Sequence, residues 1–142
     1  MIPSWAGRYV GIPFVSGGRG LEGCDCYGLV RLVLLLQFGY RLPLLSGEYR
    51  DALDSAVIEP VVHAQIPLLT GEKIETPEAG AVGVMKTRGA PSHIGIFVDA
   101  QYILHTLNRI GSHCVRFDCG PLRGSLEGIY RVDKSYRITT PV

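Results

Sequence analysis

Gly23-Cys24-Asp25-Cys26-Tyr27-Gly28-Leu29-Val30 is the stretch that decides how this chain is read. A glycine-bounded turn delivers Cys26 just before the apolar run Leu29, Val30, Leu32, Val33, Leu34, Leu35, Leu36, which only Arg31 interrupts. The run predicts a buried helix over about Asp25 to Phe38, stopped by Gly39, since a glycine beyond the last helical residue is a usual stop signal. A buried helix that begins on a cysteine is a way to make a nucleophile. The partly positive helix start favours thiolate over thiol. A free thiol has a pKa of about 8.5, and such placement lowers it by roughly one to several units. Each unit is about 1.4 kcal/mol.

Outward from that stretch, composition sets limits. The chain has 142 residues, 46% hydrophobic and 19% charged, with a net charge of +1. One globular domain over 1–142, with its core at about 9–132, is expected. The charge balance gives no basic field for nucleic acid or an anionic membrane. The start, Met1-Ile2-Pro3-Ser4-Trp5, has no charged region followed by an apolar one, so no signal peptide is read there. The run 29–36 is too short for a membrane span. Synthesis in a cytoplasm is the expectation. The four cysteines (Cys24, Cys26, Cys114, Cys119) do not make a dense disulfide scaffold.

Along the chain, the glycine-rich Trp5–Gly23 reads as loop with one short extended piece. A second, shorter helix is expected at Tyr49–Ala56, and 57–76 carries no clear pattern. From Ala79 the period becomes two. Strands are expected at Ala81–Lys86, His93–Val98, Tyr102–Leu107, Val115–Asp118 and Gly128–Val132. Helices first and a strand meander after argue for α+β, with the nucleophile's helix packed on an antiparallel sheet of about five strands.

The hairpin 93–107 can be worked out to single residues. If Asp99-Ala100-Gln101 is the loop, Val98 faces Tyr102, Gly95 faces His105 and His93 faces Leu107. Side chains alternate along a strand. His93, Gly95 and Phe97 then share a face with Ile103, His105 and Leu107. The two histidines become diagonal neighbours, about 7–8 Å apart at the backbone. A loop one residue longer or shorter would separate them. Cys26 is expected to lie against this face, with His93 as general base and His105 holding the far ring nitrogen.

Taken together, Gly11-Ile12-Pro13-Phe14, Gly17-Gly18-Arg19-Gly20, Asp25-Cys26-Tyr27-Gly28-Leu29-Val30, Ala79-Gly80-Ala81-Val82, His93-Ile94-Gly95-Ile96 and Ile103-Leu104-His105 resemble the NlpC-type cell-wall cysteine peptidases, a papain-like family. The resemblance covers roughly 9–132. It implies a papain-like α+β fold and hydrolysis of amide bonds in peptidoglycan stem peptides, commonly the D-glutamyl–diaminopimelate link. By position it makes Cys26 the nucleophile, His93 the base and His105 the third polar residue, with no metal or cofactor. The Gly-Ile-Pro-Phe start, the aromatic Tyr27, Leu42-Pro43 and Tyr49 resemble the bacteriophage tail branch. That branch implies a virion tail or tail-like particle component, assembled in the bacterial cytoplasm and opening the wall during entry. Its partners would be the stem peptide and other tail-tip or hub proteins. Many members carry a tyrosine where Phe14 stands, assisting near the oxyanion; here Tyr9, Tyr27 or backbone N–H groups would replace it. Many cellular members have a serine where Tyr27 stands.

Blander readings stand beside these. In these Cys26 is a small buried hydrophobe, and His93 and His105 are hydrogen-bonded strand residues. Asp25, Tyr27 and Arg19 are the candidate substrate-binding residues, Arg19 for a stem-peptide carboxylate; a solvated loop arginine is the alternative. A zinc site from Cys24 and Cys26 with His113, Cys114 or Cys119 has poor spacing. Cys24, Cys114 and Cys119 read as spectators, His63 and His113 as surface or loop residues. The rival function is a structural tail-tip or assembly protein on the same fold that no longer cuts. A further possibility is an acyltransferase or amidase.

Overall fold

The computed structural model describes residues 2–44, 70–87, 90–117 and 124–138. The expected helix at Tyr49–Ala56 lies outside these residues, as do His63 and Cys119.

The helix forms where the apolar run predicts. α1 spans Cys26–Val33 and continues as a wider π turn over Leu34–Phe38. Asp25 is its N-cap, and its side chain accepts from the Gly28 N–H at 2.8 Å. That supplies a partner for one of the helix's orphan donors. Gly39, at φ 76°, ends it in the left-handed region that glycine enters without strain. Gly28 is needed for another reason: a Cβ there would lie 2.0 Å from the carbonyl oxygen of Gly18. The glycine loop therefore lies directly on the first turn of α1.

Before α1 come a 3-10 helix (Ser4–Tyr9) and two short paired strands, β1 (Arg19–Gly20) and β2 (Gly23–Cys24). Trp5 meets Phe38 edge-on with ring centroids 5.4 Å apart, so the chain start packs against the tail of the helix.

After α1 come β3 (Thr70–Ile74), β4 (Val82–Thr87), β5 (Ala90–Phe97), β6 (Tyr102–Leu107), β7 (Gly111–Arg116) and β8 (Leu126–Val132). They form one antiparallel sheet of six strands in the order β3-β8-β4-β5-β6-β7. The sequence reading expects about five. β3 is the addition, and it pairs with β8 across a register shift. β7 begins four residues earlier than the expected Val115, which brings His113 into the sheet.

The β5–β6 hairpin has the expected register. Ile96 pairs with Leu104 and Phe97 with Ile103, and Val98 N–H donates to the Tyr102 carbonyl at 3.0 Å. Asp99 builds the turn, its Oδ1 accepting from the N–H groups of Gln101 and Tyr102 at 2.8 Å each. Carried on, this register sets Gly95 opposite His105. A Cβ at Gly95 would stand 2.8 Å from the Leu104 carbonyl oxygen.

The core has two parts. Leu29, Val30 and Val33 of α1 join Val82, Val84, Ile94, Ile96, Val98 and Leu104 in one buried cluster. Met85, Phe97, Ile103, Phe117 and Ile129 form a second. This corrects one expectation: the helix packs on the Ile94, Ile96 and Leu104 side chains, and not on the face of Phe97 and Ile103. Ile94, Ile96 and Leu104 lie beneath a helix that is buried nearly all round. Full burial of each such side chain stabilises by about 1.5–3 kcal/mol.

Candidate active site

Cys26 is the first residue of α1 and is 7% exposed. The backbone N–H groups of Ile94 and Tyr27 reach its sulfur. Ile94 directly follows His93, so the sulfur meets β5 one residue from that histidine. Helix packing thus positions the thiol, while strand alternation positions the imidazole.

His93 Nε2 and His105 Nδ1 are 3.0 Å apart, and their ring centroids are 5.2 Å apart in an edge-on arrangement. Only one proton fits between two such nitrogens. If His93 donates, its Nδ1 is free to take a proton from a thiol, and His105 accepts through Nδ1. His105 is 3% exposed and its Nε2 has no hydrogen-bond partner among the described residues.

The electrostatics correct the sequence expectation about the thiol. Burial, and then the Asp25 carboxylate, push the Cys26 thiol up to about 12, against smaller lowering effects from the two N–H groups and Arg19. The helix start does offer positive potential. Its own cap, however, is an anion set next to the sulfur, and desolvation adds to the same side. Burial and then the His113 charge push His93 down to about 4. Burial, with His93 and His113, pushes His105 down to about 3. The resting pair is therefore a neutral thiol and neutral imidazoles.

Asp25, Arg19 and Tyr27 are brought together, though chiefly with one another. Asp25 is fully buried and accepts from Gly28 N–H at 2.8 Å, Gly17 N–H at 2.9 Å and Arg19 Nη1 at 2.9 Å. Arg19 also donates to the carbonyls of Gly18 and Leu44, and its guanidinium lies 5.2 Å from the Tyr27 ring centre. The Tyr27 hydroxyl donates to the Pro43 carbonyl at 2.6 Å. This network ties the glycine loop, the helix start and the 42–44 segment into one piece. Arg19 is accordingly not the solvated loop arginine of the bland reading.

Phe14 pairs with Cys24 in an isolated parallel bridge and brings no hydroxyl. Of its suggested replacements, Tyr27 is engaged with Pro43. The Tyr9 hydroxyl is buried without a hydrogen-bond partner among the described residues. Cys24 is fully buried, and its thiol is pushed up to about 12 by desolvation first and the Asp25 charge second. The residue that sequence reasoning missed is His113. It stands directly opposite His105 across β6 and β7, with ring centroids 4.3 Å apart. The signal available was the spacing about Asn108-Arg109-Ile110, which places residues 105 and 113 symmetrically around a turn.

Residues 11–118 match the model of the NlpC/P60 family. The chain belongs to the NlpC/P60 family. Among solved structures, it is similar to a lipoprotein-like NLP/P60 protein from Staphylococcus aureus, with 21% identity and a TM-score of 0.60. That match covers 89% of this chain and 38% of the staphylococcal one, so the chain spans well under half of that relative. It is also similar to the NlpC/p60 domain of the peptidoglycan hydrolase SagA, with 19% identity and a TM-score of 0.60, over 89% of this chain and 92% of that domain. At these identities the structural likeness bears on fold alone, and it agrees with the α+β class. No protein of curated function matches the chain in sequence. The NlpC/P60 match spans the glycine loop, α1 and the strands of all three histidines.

Proposed function

We propose that this chain is a cysteine peptidase of the bacterial cell wall that cuts amide bonds in peptidoglycan stem peptides. The observation that carries the reading is the Cys26 sulfur within reach of the Ile94 N–H, the strand residue directly after His93, whose Nε2 is held 3.0 Å from His105 Nδ1. Membership of the NlpC/P60 family supports the same chemistry.

Because the resting groups are neutral, the reaction begins with proton transfer. His93 Nδ1 takes the Cys26 proton as the sulfur attacks the amide carbonyl. The developing oxyanion is met by backbone N–H groups at the start of α1, including that of Cys26. His93 then passes its proton to the departing amine, which leaves a thioester on Cys26. Water, deprotonated by His93, attacks the thioester and releases the acid. His105 stays a hydrogen-bond acceptor throughout and keeps the His93 ring from turning.

In the fuller reading the chain works in a phage tail or tail-like particle, made in the bacterial cytoplasm and opening the wall during entry. Other tail-tip or hub proteins are its partners there. Support comes from the aromatic Tyr27 after the nucleophile and its bond to Pro43. The rival, a tail protein that keeps the fold without cutting, is favoured by Phe14, which lacks the hydroxyl many relatives use. Incubation with purified peptidoglycan decides between them. New peptide ends in the product masses, absent with Cys26→Ala, are the expected result; intact sacculi with folded wild-type protein would overturn the peptidase reading.

A further inference from the structure

Strand β8 breaks its alternation once, and the break sets a carboxylate on the sheet face that carries α1. Val84 pairs with Gly128 and Met85 with Leu126, so Glu127 is an extra residue, a β-bulge. In an unbroken strand Leu126 would share a face with Gly128 and Tyr130, and Glu127 would share the other with Ile129. Instead Leu126 packs with Met85 and Ile129 in the second cluster, while Tyr130 belongs to the cluster of α1. Glu127 is thereby turned to the Tyr130 side, where its two carboxylate oxygens accept from the Tyr130 hydroxyl at 2.9 and 3.2 Å. Gly128 makes room for that hydroxyl: a Cβ there would stand 2.7 Å from the phenol oxygen.

The pair lies at the level of the nucleophile. The Cys26 sulfur is within reach of the Ile94 N–H; Ile94 pairs with Val84, and Val84 with Gly128. The phenol oxygen over Gly128 is therefore two strands along from the sulfur's contact, roughly 10 Å at about 4.8 Å per strand. A peptide seated at Cys26 spans that distance with about three extended residues. α1 rests chiefly on β5 and β6, so β8 lies to one side of the helix start. Tyr130 is buried and Glu127 half-buried, so the carboxylate is the part of the pair that solvent reaches. Lys73, opposite Tyr130 on β3, has its ammonium 5.9 Å from the centre of the Tyr130 ring. Among the described residues no cation forms an ion pair with Glu127.

From this geometry, and resting on the peptidase reading for the substrate, we propose that Glu127 is a specificity residue that takes a primary ammonium group of the bound peptide, with Tyr130 the positioning residue that holds the carboxylate. An ionised carboxylate only accepts, and it offers about four lone-pair sites. The single phenol hydrogen leaves the rest for an N–H donor of opposite charge, the stronger kind of hydrogen bond. Half-burial helps, because solvent and salt screen such a charge less than an exposed one. A buried phenol by itself needs only an acceptor, which a neutral amide would supply as well. The charge is what selects the ligand. The ammonium is that of the peptide's amino terminus or of an amino-bearing side chain.

The test compares the whole protein carrying Cys26→Ala, which binds without cutting, with the same protein carrying Glu127→Gln as well. Glutamine keeps an oxygen for the Tyr130 hydroxyl and removes only the charge. Calorimetry reads the affinity for synthetic stem peptides whose amines are all free, free at the amino terminus alone, free on the side chain alone, or all acetylated. Glu127→Gln is expected to weaken binding about tenfold, the lower end for a hydrogen bond to a charged group, and only for peptides that keep the amine concerned. The fully acetylated peptide should bind both proteins alike. Which single-amine peptide shows the loss tells whether the terminus or the side chain is bound. In protein with Cys26 intact, Glu127→Gln should raise KM for the same peptides and leave kcat nearly unchanged. Equal affinity of the two proteins for every peptide, an equal loss with the acetylated peptide, or no binding of the amine-bearing peptides overturns the proposal. If binding follows the charge while wild type leaves the peptides and peptidoglycan intact, the ammonium site stands and the peptidase reading falls.

Discussion

Asp25→Asn should make the protein less stable and its key thiol more acidic at once. The carboxylate is fully buried and receives hydrogen bonds from Gly28, Gly17 and Arg19 at 2.8, 2.9 and 2.9 Å. An asparagine keeps the cap, because Asn is as good an N-cap as Asp. It cannot, however, balance the Arg19 guanidinium, whose side chain is 9% exposed. Removing one partner of a buried pair costs about 3–5 kcal/mol, and keeping the capping bond places Asn at the lower end, on the order of 3 kcal/mol. That is a large part of the roughly 5–15 kcal/mol that holds a domain folded. Meanwhile the Asp25 charge is the second-largest influence raising the Cys26 thiol, so its loss moves that thiol downward. Urea unfolding measures the first effect. The pH dependence of iodoacetamide labelling, located on Cys26 by fragment masses, measures the second. Unchanged stability would refute the buried-network argument, and an unchanged or upward thiol titration would refute the account of what sets the Cys26 proton affinity.

Two further outcomes follow from the same geometry. Acid should weaken the fold: His93 falls from an ordinary 6.5 to about 4, so between those values the unfolded chain holds the extra proton and stability declines as pH drops. The loss is on the order of 3 kcal/mol from His93 alone, and urea midpoints at pH 7, 5 and 4 should fall in that order; midpoints that hold level would contradict the buried neutral rings. Gly28→Ala should destabilise by several kcal/mol, since its Cβ would strike the Gly18 carbonyl oxygen. Helix propensity alone predicts the opposite sign, a gain of about 1 kcal/mol, so the direction of the change in thermal midpoint separates the two.

The hairpin was legible because its signals are local: Asp99 marks the turn, and alternation then fixes which residues share a face. α1 was legible from a run of seven apolar residues ending at Gly39. Four things were not. β3 lies beside a prolyl, mixed stretch and is stabilised by pairing with β8, which no local pattern announces. His113 was hidden because Gly111-Ser112-His113-Cys114 has no strand-like alternation; it joins the sheet through a tight turn in which Arg109 takes φ 71°. The sign of the thiol shift was missed because the helix-start argument counts the dipole and not the capping carboxylate or the burial, both of which act the other way. The face under α1 depended on side-chain contacts between distant segments, which spacing cannot supply.

The central claim is that Cys26 attacks while His93 removes its proton. It is tested most directly by the rate at which new amino ends are released from purified peptidoglycan by wild type, Cys26→Ala and His93→Ala, each shown by circular dichroism to be folded. The account predicts release by wild type and a loss of about a thousandfold or more in both variants, the usual scale when a nucleophile or its base is removed. Release by Cys26→Ala or His93→Ala at the wild-type rate would contradict it.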